Sequence, residues 1–255
     1  MRPITPFARV WSIAMVAALL LVACGDDDPT ASVAFAEPAA GATVHGSVQL
    51  AMTADGITIE EAGEARDGAG HFHVIADAGC LAAGTAIGKD ADHIHFGAGQ
   101  SEGVIYLDPG EHDLCLQVGD GAHSALDVTD TVSVTVAITS QEEWCEVITD
   151  VDGLSSALDA EQSDFAAVQV GFENMARLLA QLDDASQLVD DEARDDVRAA
   201  LGFGANVARA FTTAADEAAA FEAVEELYAG APAGFVGELP GADWIQATCD
   251  VDLED

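Results

Sequence analysis

The sequence TVSVTVAI, residues 131–138, places an apolar side chain at every second position. Side chains of a β-strand point alternately to its two faces, so this period of two predicts a strand with one face in a core. Two further runs alternate in the same way, at residues 48–52 (VQLAM) and 114–118 (LCLQV). Turn residues such as Asp-Pro-Gly at 108–110 separate these runs. Short strands with frequent turns predict an antiparallel, all-β immunoglobulin-like sandwich.

After residue 139 the apolar period changes from two to about 3.6, which predicts helices. Ser163 and Asp164 form a start signal for a first helix of about twenty residues, and Gly230 and Pro232 form a stop signal for a third. The expected core positions of three helices are Phe165, Val168, Phe172, Met175, Leu179 and Leu182, then Val197, Leu201, Ala208 and Phe211, then Phe221, Val224 and Leu227. Residues 243–249 predict a short terminal helix. We therefore expect a separate all-α helical bundle of three to five helices after the sandwich.

The N-terminus predicts export. Arg2 and Arg9 precede an apolar run at residues 10–23, which has the charge order of an export signal and is too short to span a bilayer comfortably. The run ends in Leu-Val-Ala-Cys, which resembles the lipobox of bacterial lipoproteins. This resemblance implies a lipoprotein signal peptide at residues 1–23 and a lipid on Cys24. The chain would then be extracytoplasmic and anchored to the cell membrane, at the cell surface or in the periplasm. Ordinary secretion is the alternative.

The expected domain order is a signal peptide, an acidic tether at residues 24–32, the β-sandwich at 33–139 and the helical bundle at 140–255. Four cysteines follow Cys24, and an exported chain is expected to oxidise them to disulfides. Of the three connectivities, Cys80–Cys115 with Cys145–Cys249 is favoured, because each bond then closes one folding unit. The alternative is that Cys80 and Cys115 are soft metal ligands.

The charge of the chain restricts its partners. It has 46 acidic and 8 basic residues and a net charge of −38. A surface this negative repels phosphate backbones and anionic headgroups, which argues against nucleic-acid binding and against membrane contact other than through the lipid anchor. Solubility in a salty habitat explains such a surface more simply than a dedicated cation store. Charged partners are expected to be cations.

Six of the seven histidines lie between residues 71 and 123, in the segments GHFHVIAD, HIHFGAGQ and GEHDLCLQVGDGAH. His-x-His on a β-strand places both rings on one face about 7 Å apart, close enough to share a metal ion. Imidazole nitrogens favour copper or zinc over magnesium or calcium. The candidate ligands are His71, His73, His93, His95, His112 and His123, with Asp77 and Asp120 as groups that could orient a ring. Two chelating pairs, 71 with 73 and 93 with 95, are the centre of this hypothesis.

A structural role is the alternative, in which each ring holds a turn by a hydrogen bond, and pH sensing is a third. The isolated His45 is expected to be exposed.

The histidine segments also carry a family resemblance. They contain G-H-x-H-x-x-x-D at residues 70–77, H-F-G-x-G-Q-S-E at 95–102 and a Pro-Gly-x-His turn at 109–112 that leads to Gly-Asp-x-x-His at 119–123. In this order the motifs resemble the bacterial exported domain of unknown function 4399, over about residues 33–138. Phe72 stands where a third histidine is common in that family. The resemblance implies the fold and the exported compartment, and it implies no mechanism.

Motifs of the common enzyme classes are not recognisable. The sequence lacks G-x-S-x-G, a phosphate-binding G-x-x-x-x-G-K and H-E-x-x-H. We therefore favour a non-catalytic, lipid-anchored binding or interaction protein with an unknown ligand or cell-envelope partner. The alternative function is copper or zinc binding by the His-x-His segments. A metal-dependent redox enzyme is a more distant alternative, because it would need an open coordination position.

Overall fold

The computed structural model describes residues 31–160, 164–231 and 240–251, in which a β-sheet domain is followed by a helical part. The strands are β1 Ser32–Glu37, β2 Thr43–Val44, β3 Ser47–Asp55, β4 Thr58–Ile59, β5 Ala69–Ala76, β6 His93–Phe96, β7 Glu102–Tyr106, β8 Gly110–Gly119 and β9 Ala125–Val136. The helices are α1 Gln141–Ala160, α2 Phe165–Asp184, α3 Arg194–Thr213, α4 Glu217–Gly230 and α5 Ala242–Cys249. The predicted change from strands to helices is thus confirmed.

The strands form two sheets. One has three strands in the order β1-β3-β7, and the other has six, in which β2-β9-β8-β5-β4 form a path and β6 also pairs with β5. Most neighbours are antiparallel, but β2 with β9 and β4 with β5 are parallel pairs of two residues each. The expectation of a wholly antiparallel domain was wrong for these two pairs. Neither pair is joined by a tight hairpin, so no turn forces its strands to run in opposite directions.

One hydrophobic core contains residues from both sheets. With one exception, the alternating apolar positions predicted from the sequence are buried in it, namely Val48, Leu50 and Met52 of β3, Leu114, Leu116 and Val118 of β8, and Val132, Val134 and Val136 of β9. The exception is Ile138, which follows the end of β9 and is buried in the core of the helical part. Each fully buried side chain of this kind contributes about 1.5–3 kcal/mol relative to an exposed one. The six-stranded sheet therefore has one face fixed against the core, and its other face is available for a site.

Helix α3 follows the predicted pattern and α2 follows it in part. Of the positions predicted for α2, Met175, Leu179 and Leu182 are buried, whereas Phe165, Val168 and Phe172 are half-buried. Asp164 caps α2, since its carboxylate accepts a hydrogen bond from the Ala166 amide at 3.0 Å. Helix α3 buries all four of its predicted core positions, Val197, Leu201, Ala208 and Phe211. Helix α4 differs, because Phe221 is 53% exposed and Ala220 is the buried residue. This helix packs mainly against α3, so a small side chain is enough to close the contact.

Helix α1 was not predicted from the sequence. Its start is a capping box, in which Ser140 Oγ accepts from the Glu143 amide at 3.2 Å and Glu143 Oε2 accepts from the Ser140 amide at 3.1 Å. Trp144 of α1 is fully buried, and its ring centroid lies 5.5 Å from that of Trp244 in an edge-on contact. The Cys145–Cys249 disulfide joins α1 to α5 beside these rings. The second disulfide joins Cys80 to Cys115, so both bonds have the favoured pairing.

The helical part is docked on the sheet domain and is not separate from it. Gln181 of α2 is buried, and its side chain donates to the Leu107 carbonyl at 2.8 Å and accepts from the Gly46 amide at 2.7 Å. Arg177, one turn earlier, is also buried and binds backbone carbonyls of the sheet domain. Buried polar groups need partners, and here the partners belong to the other part of the chain. Shared hydrogen bonds therefore fix the two parts to each other.

The predicted signal peptide, Cys24 and the tether up to residue 30 lie outside the described residues. Among the residues that the structure describes, no helix combines the length and the apolar character that crossing a bilayer requires.

Candidate functional site

Strand β5 places two histidines on the outer face of the six-stranded sheet. Its sequence is AGHFHVIA, and all eight residues are buried. Because side chains alternate, Phe72 and Val74 enter the hydrophobic core while His71 and His73 lie on the opposite face. A sheet face away from the core can be buried only if another segment covers it. We call residues 77–92, which connect β5 to β6 over this face, the cover segment.

Two further histidines reach the same face from neighbouring elements. His95 of β6 is the register partner of His73, so both rings stand side by side on one face. His71 is the register partner of Gly119, the last residue of β8, and the loop that follows β8 carries His123. We call His71, His73, His95 and His123 the histidine cluster. Their six ring-to-ring centroid distances lie between 4.7 and 5.8 Å.

The ring nitrogens of the cluster converge. His71 Nε2 and His73 Nε2 are 3.0 Å apart, and His95 Nε2 and His123 Nε2 are also 3.0 Å apart. One ring nitrogen from each of His71, His95 and His123 lies within 4.8 Å of the others. Four nitrogens bound tetrahedrally to zinc at its usual bond length are about 3.3 Å apart. Small ring movements would therefore bring the nitrogens of His71, His95 and His123 to a common ion. His73 lies outside this group of three, and its Nε2 reaches the site through the contact with His71 Nε2.

The cluster is buried on one side and open on the other. The rings of His71 and His73 are fully buried, whereas His95 and His123 are half-buried. Among the described residues, none of the four rings has a hydrogen bond or ion pair with a carboxylate. The donor set is thus purely imidazole, which favours copper and zinc over hard cations.

Burial favours the neutral form of three of the rings, those of His71, His73 and His95. Desolvation, followed by the proximity of His95 and His123, lowers the pKa of His71 from 6.5 to about 4. Desolvation and then the neighbouring rings, His71 first, lower the pKa of His73 to about 3. The pKa of His95 is also lowered, chiefly by desolvation and then by His123. Neutral imidazole is the form that binds a metal ion, so these rings hold their lone pairs ready at neutral pH.

The two buried rings cannot satisfy each other by hydrogen bonding. Both His71 Nδ1 and His73 Nδ1 are buried and have no hydrogen-bond partner among the residues that the structure describes. A neutral ring carries one proton, and the contact between the two Nε2 atoms uses one of the two available. One ring then has a buried Nδ1–H without an acceptor, and the other has a Nδ1 lone pair without a donor. Unsatisfied buried groups of this kind are rare and concentrate at functional sites.

Two glycines make room for the rings. A Cβ at Gly119 would lie 2.8 Å from His73 Nε2 and 2.9 Å from His73 Cδ2. A Cβ at Gly97 would overlap the ring of His95. Both glycines belong to the motifs at residues 95–102 and 119–123, but the motifs alone do not predict this role. Their signal was their position, since Gly97 directly follows β6 and Gly119 is the last residue of β8.

A strained loop positions His123. Its φ angle is 66°, in the left-handed region that residues other than glycine rarely adopt. Asp120 Oδ1 accepts from the amides of Ala122 and Ser124, each at 2.9 Å, and the His123 amide donates to the Asp120 carbonyl at 2.9 Å. Asp120 therefore organises the backbone around His123 and does not bind its ring. Unusual backbone of this kind persists where the surroundings enforce it, often at ligand sites.

The cover segment is fastened at several points to the face that carries the cluster. The Cys80–Cys115 disulfide joins it to β8. Buried Gln117 accepts from the Leu81 amide at 2.9 Å and donates to the Leu81 carbonyl at 2.8 Å. The Ile87 amide donates to the His123 carbonyl at 2.8 Å. These ties explain why the rings of β5 are inaccessible although they lie outside the core.

Three other histidines lie away from the cluster. His93 Nδ1 contacts Asp90 Oδ1 at 2.9 Å, and His112 Nδ1 contacts Asp77 Oδ2 at 2.7 Å. His45 is half-buried and not exposed as expected, because its Nε2 contacts Glu146 at 2.8 Å.

The structure thus brings four of the six candidate ligands together and leaves His93 and His112 outside. Asp77 orients His112 and not a ring of the cluster.

The family model described as Domain of unknown function (DUF4399) matches residues 50–137, which include the whole cluster. No curated protein matches the chain. Among solved structures, the chain is similar to the X-ray structure of the endo-beta-1,4-mannanase from Thermotoga petrophila, with 16% identity and a TM-score of 0.28. The similarity covers 46% of this chain and 22% of that chain. At this TM-score it carries no argument about fold or activity.

Proposed function

We propose, from the premise that residues 50–137 are a domain of unknown function 4399, that this protein binds a copper or zinc ion through the histidine cluster. The ligands are His71, His73, His95 and His123. The observation that carries the proposal is the convergence of four imidazoles from β5, β6 and the loop after β8, with two Nε2–Nε2 distances of 3.0 Å. A structural role for these rings would instead place each one against a backbone or carboxylate acceptor.

The donor set supports holding an ion rather than catalysis. A catalytic zinc site usually has three protein ligands and leaves one position for water or substrate, whereas four protein ligands close the coordination sphere. The cluster offers four. This agrees with the non-catalytic binding protein favoured from the sequence, and it specifies a ligand for it. Binding to a cell-envelope partner is the broader proposal, within which the metal site is one function.

The charge of the chain supports delivery of a cation to the cluster. With 46 acidic and 8 basic residues, the surface attracts divalent cations and raises their local concentration. The nearest carboxylates do not bind the cluster rings, so the acids attract the ion while the imidazoles select it. Attraction by surface charge weakens with salt, whereas selection by the donor set does not.

The test is a competition titration of the full chain, purified in detergent, with Cu²⁺ and Zn²⁺. We expect micromolar or tighter binding of one ion per chain, and a loss of at least tenfold, or about 1.4 kcal/mol, in the variant His71→Ala plus His73→Ala. The matched control is His93→Ala plus His112→Ala, which removes two histidines outside the cluster and should bind like the wild type.

Two outcomes would reject the proposal. One is wild-type affinity weaker than micromolar for both ions, and the other is an equal effect of the cluster variant and the control. Because His71 and His73 are buried, their double variant also needs a folding check by circular dichroism. The half-buried pair, His95→Ala plus His123→Ala, tests the same site with less disturbance of the sheet.

We also propose that the protein is extracytoplasmic and held to the membrane by a lipid on Cys24. The support is the sequence order of two arginines, an apolar run and the Leu-Val-Ala-Cys motif. Mass spectrometry of the membrane-extracted protein should show a mature N-terminus at Cys24 with added acyl mass. A free, unmodified cysteine at this position, or a chain that retains residues 1–23, would contradict it.

For the fold, we propose that the two sheets form an immunoglobulin-like sandwich and that the helices form a bundle closed by Cys145–Cys249. The support is the single core shared by both sheets and the disulfide between the first and last described helices. An experimental structure in which the sheets do not face each other would contradict the sandwich.

A further inference from the structure

Arg177 of α2 reaches from the helical part to the start of β6. It is 7% exposed. Its Nη1 donates to the Tyr106 carbonyl at 2.8 Å and to the Ala91 carbonyl at 3.1 Å, and its Nη2 donates to Asp92 Oδ1 at 2.6 Å. Ala91 and Asp92 directly precede β6, and Tyr106 ends β7. One guanidinium therefore ties α2 to the residues from which β6 begins.

Strand β6 needs such an anchor. It has four residues and, among the described strands, pairs only with β5. The turn before it is held by Asp90 Oδ1, which accepts from the amides of Asp92 and His93, but these bonds lie within the turn itself. At its start, the anchors to other elements are the Ala76 amide, which donates to the Asp92 carbonyl at 2.9 Å, and Arg177. At its other end, the Ala62 amide donates to the Gly97 carbonyl at 2.8 Å. A short edge strand held by few contacts moves easily unless both of its ends are fixed.

We propose that Arg177 is a positioning residue for the histidine cluster. By fixing Ala91 and Asp92, it sets the position of β6 and hence the distance of the His95 ring from His73 and His123. The proposal rests on the proposed metal function, and it adds that the helical part controls the affinity of a site to which it contributes no ligand. Groups that orient metal ligands commonly change affinity by about 10–100-fold when they are removed.

The sign of the effect separates positioning from electrostatics. Arg177→Met removes a positive charge from the neighbourhood of a cation site, so charge alone would make metal binding tighter. Loss of the anchor would make it weaker, because His95 would no longer be held at bonding distance. Weaker binding in this variant therefore cannot be a charge effect.

The experiment compares Arg177→Met with Arg194→Met in the full chain purified in detergent. Arg194 is a matched control, because it also donates to backbone carbonyls, those of Ser186, Gln187 and Val189, but contacts only the helical part. Both substitutions remove one positive charge and at least two hydrogen bonds to backbone carbonyls, although Arg194 is less buried than Arg177. Zn²⁺ and Cu²⁺ affinities are measured by competition, and the Cu²⁺ electron paramagnetic resonance spectrum is recorded at saturating metal.

We expect Arg177→Met to weaken binding at least tenfold and to change the Cu²⁺ spectrum, while Arg194→Met keeps both. Arg177→Lys retains the charge but loses the forked geometry of the guanidinium, and an intermediate affinity is expected. This variant also serves if Arg177→Met does not fold. Unchanged affinity and spectrum in the Arg177 variants, or an equal change in Arg194→Met, would overturn the inference. If the wild type binds neither ion, the proposed function itself fails, and that result is distinct.

Discussion

Gly119→Ala should damage the histidine cluster from outside its ligand set. The added Cβ would lie 2.8 Å from His73 Nε2 and 2.9 Å from His73 Cδ2, whereas ordinary contact begins at 3.4 Å. The ring must therefore retreat by about 0.5 Å, more than twice the tolerance of about 0.2 Å on a metal–nitrogen bond. His73 would then be lost as a ligand or held in a strained position.

The strand cannot easily absorb this displacement. Gly119 is paired with His71 on one side and with Ala125 on the other, and the new methyl would also lie 3.2 Å from Ile87 Cδ1 of the cover segment. Overpacking in such surroundings usually costs about 1–3 kcal/mol of stability. We expect a metal affinity lower by about 10–100-fold, as for the loss of a group that orients a ligand.

The assay is metal competition together with urea denaturation of the metal-free protein. Gly63→Ala is the control, because it lies in the same domain, has no positive φ angle and would place its Cβ with nothing within 4 Å. The reasoning would be refuted if Gly119→Ala bound metal like the wild type while being destabilised. That result would mean that the ring of His73 is not a ligand or that its position is not set by Gly119.

Three further predictions concern stability. The folded pKa values of His71 and His73, about 4 and about 3, lie below 6.5, so only the unfolded chain gains these protons as the pH falls. Metal-free protein should lose at most about 1.4 kcal/mol per pH unit for each ring between pH 6.5 and 4, and the urea midpoint of the His71→Ala plus His73→Ala variant should fall less over this range. Cys80→Ser plus Cys115→Ser opens a loop with a sequence separation of 35. The free energy of unfolding, measured by thermal or urea denaturation, should fall by up to about 4 kcal/mol. A loss near zero would show that the cover segment does not depend on the disulfide. Ser140→Ala removes the cap of α1 and should cost about 1 kcal/mol, whereas an unchanged midpoint would mean that Glu143 alone holds this end.

The alternating patterns predicted the strands well, because burial on one face leaves a direct trace in the sequence. Strand β5 shows the limit of this signal. Its His71 and His73 are as buried as its Phe72 and Val74, since the cover segment protects the outer face. Alternation tells which residues share a face, but it cannot tell that both faces are enclosed.

Helix α1 shows a signal that was present and was not used. Ser140 and Glu143 have the S-x-x-E spacing of a capping box, and the structure contains both of its hydrogen bonds. Trp144, Val147, Ile148 and Val151 follow it at helical spacing. Acidic residues between them, and Gly153 after them, weakened the apolar pattern, so the cap was the stronger indication.

Which histidines belong to the cluster depends on the register between β5 and β6. Local sequence does not determine this register. His-x-His correctly placed 71 with 73 on one face, and His95 joins them because β6 pairs it opposite His73. The same register puts His93 two pairs further along, opposite Ile75 and at the turn with Asp90. The second chelating pair therefore divides, with one ring inside the cluster and one outside. A shift of β6 by two residues would have exchanged them.

The length of β8 is enough to predict that His112 and His123 do not bind the same ion. His112 lies in β8 seven residues before Gly119, a distance of about 23 Å along an extended strand. One metal ion cannot bind at both ends of such a strand. His71 pairs with Gly119, so the cluster forms at the end that carries His123, and His112 is left with Asp77. The position of the site thus depends on the end of β8, on the register between β5 and β6, and on the loop that carries His123. The two disulfide-closed parts of the chain hold these three features in place. An ion bound there would be coordinated by elements far apart in sequence. Metal binding should therefore stabilise the whole sheet domain and not a local turn.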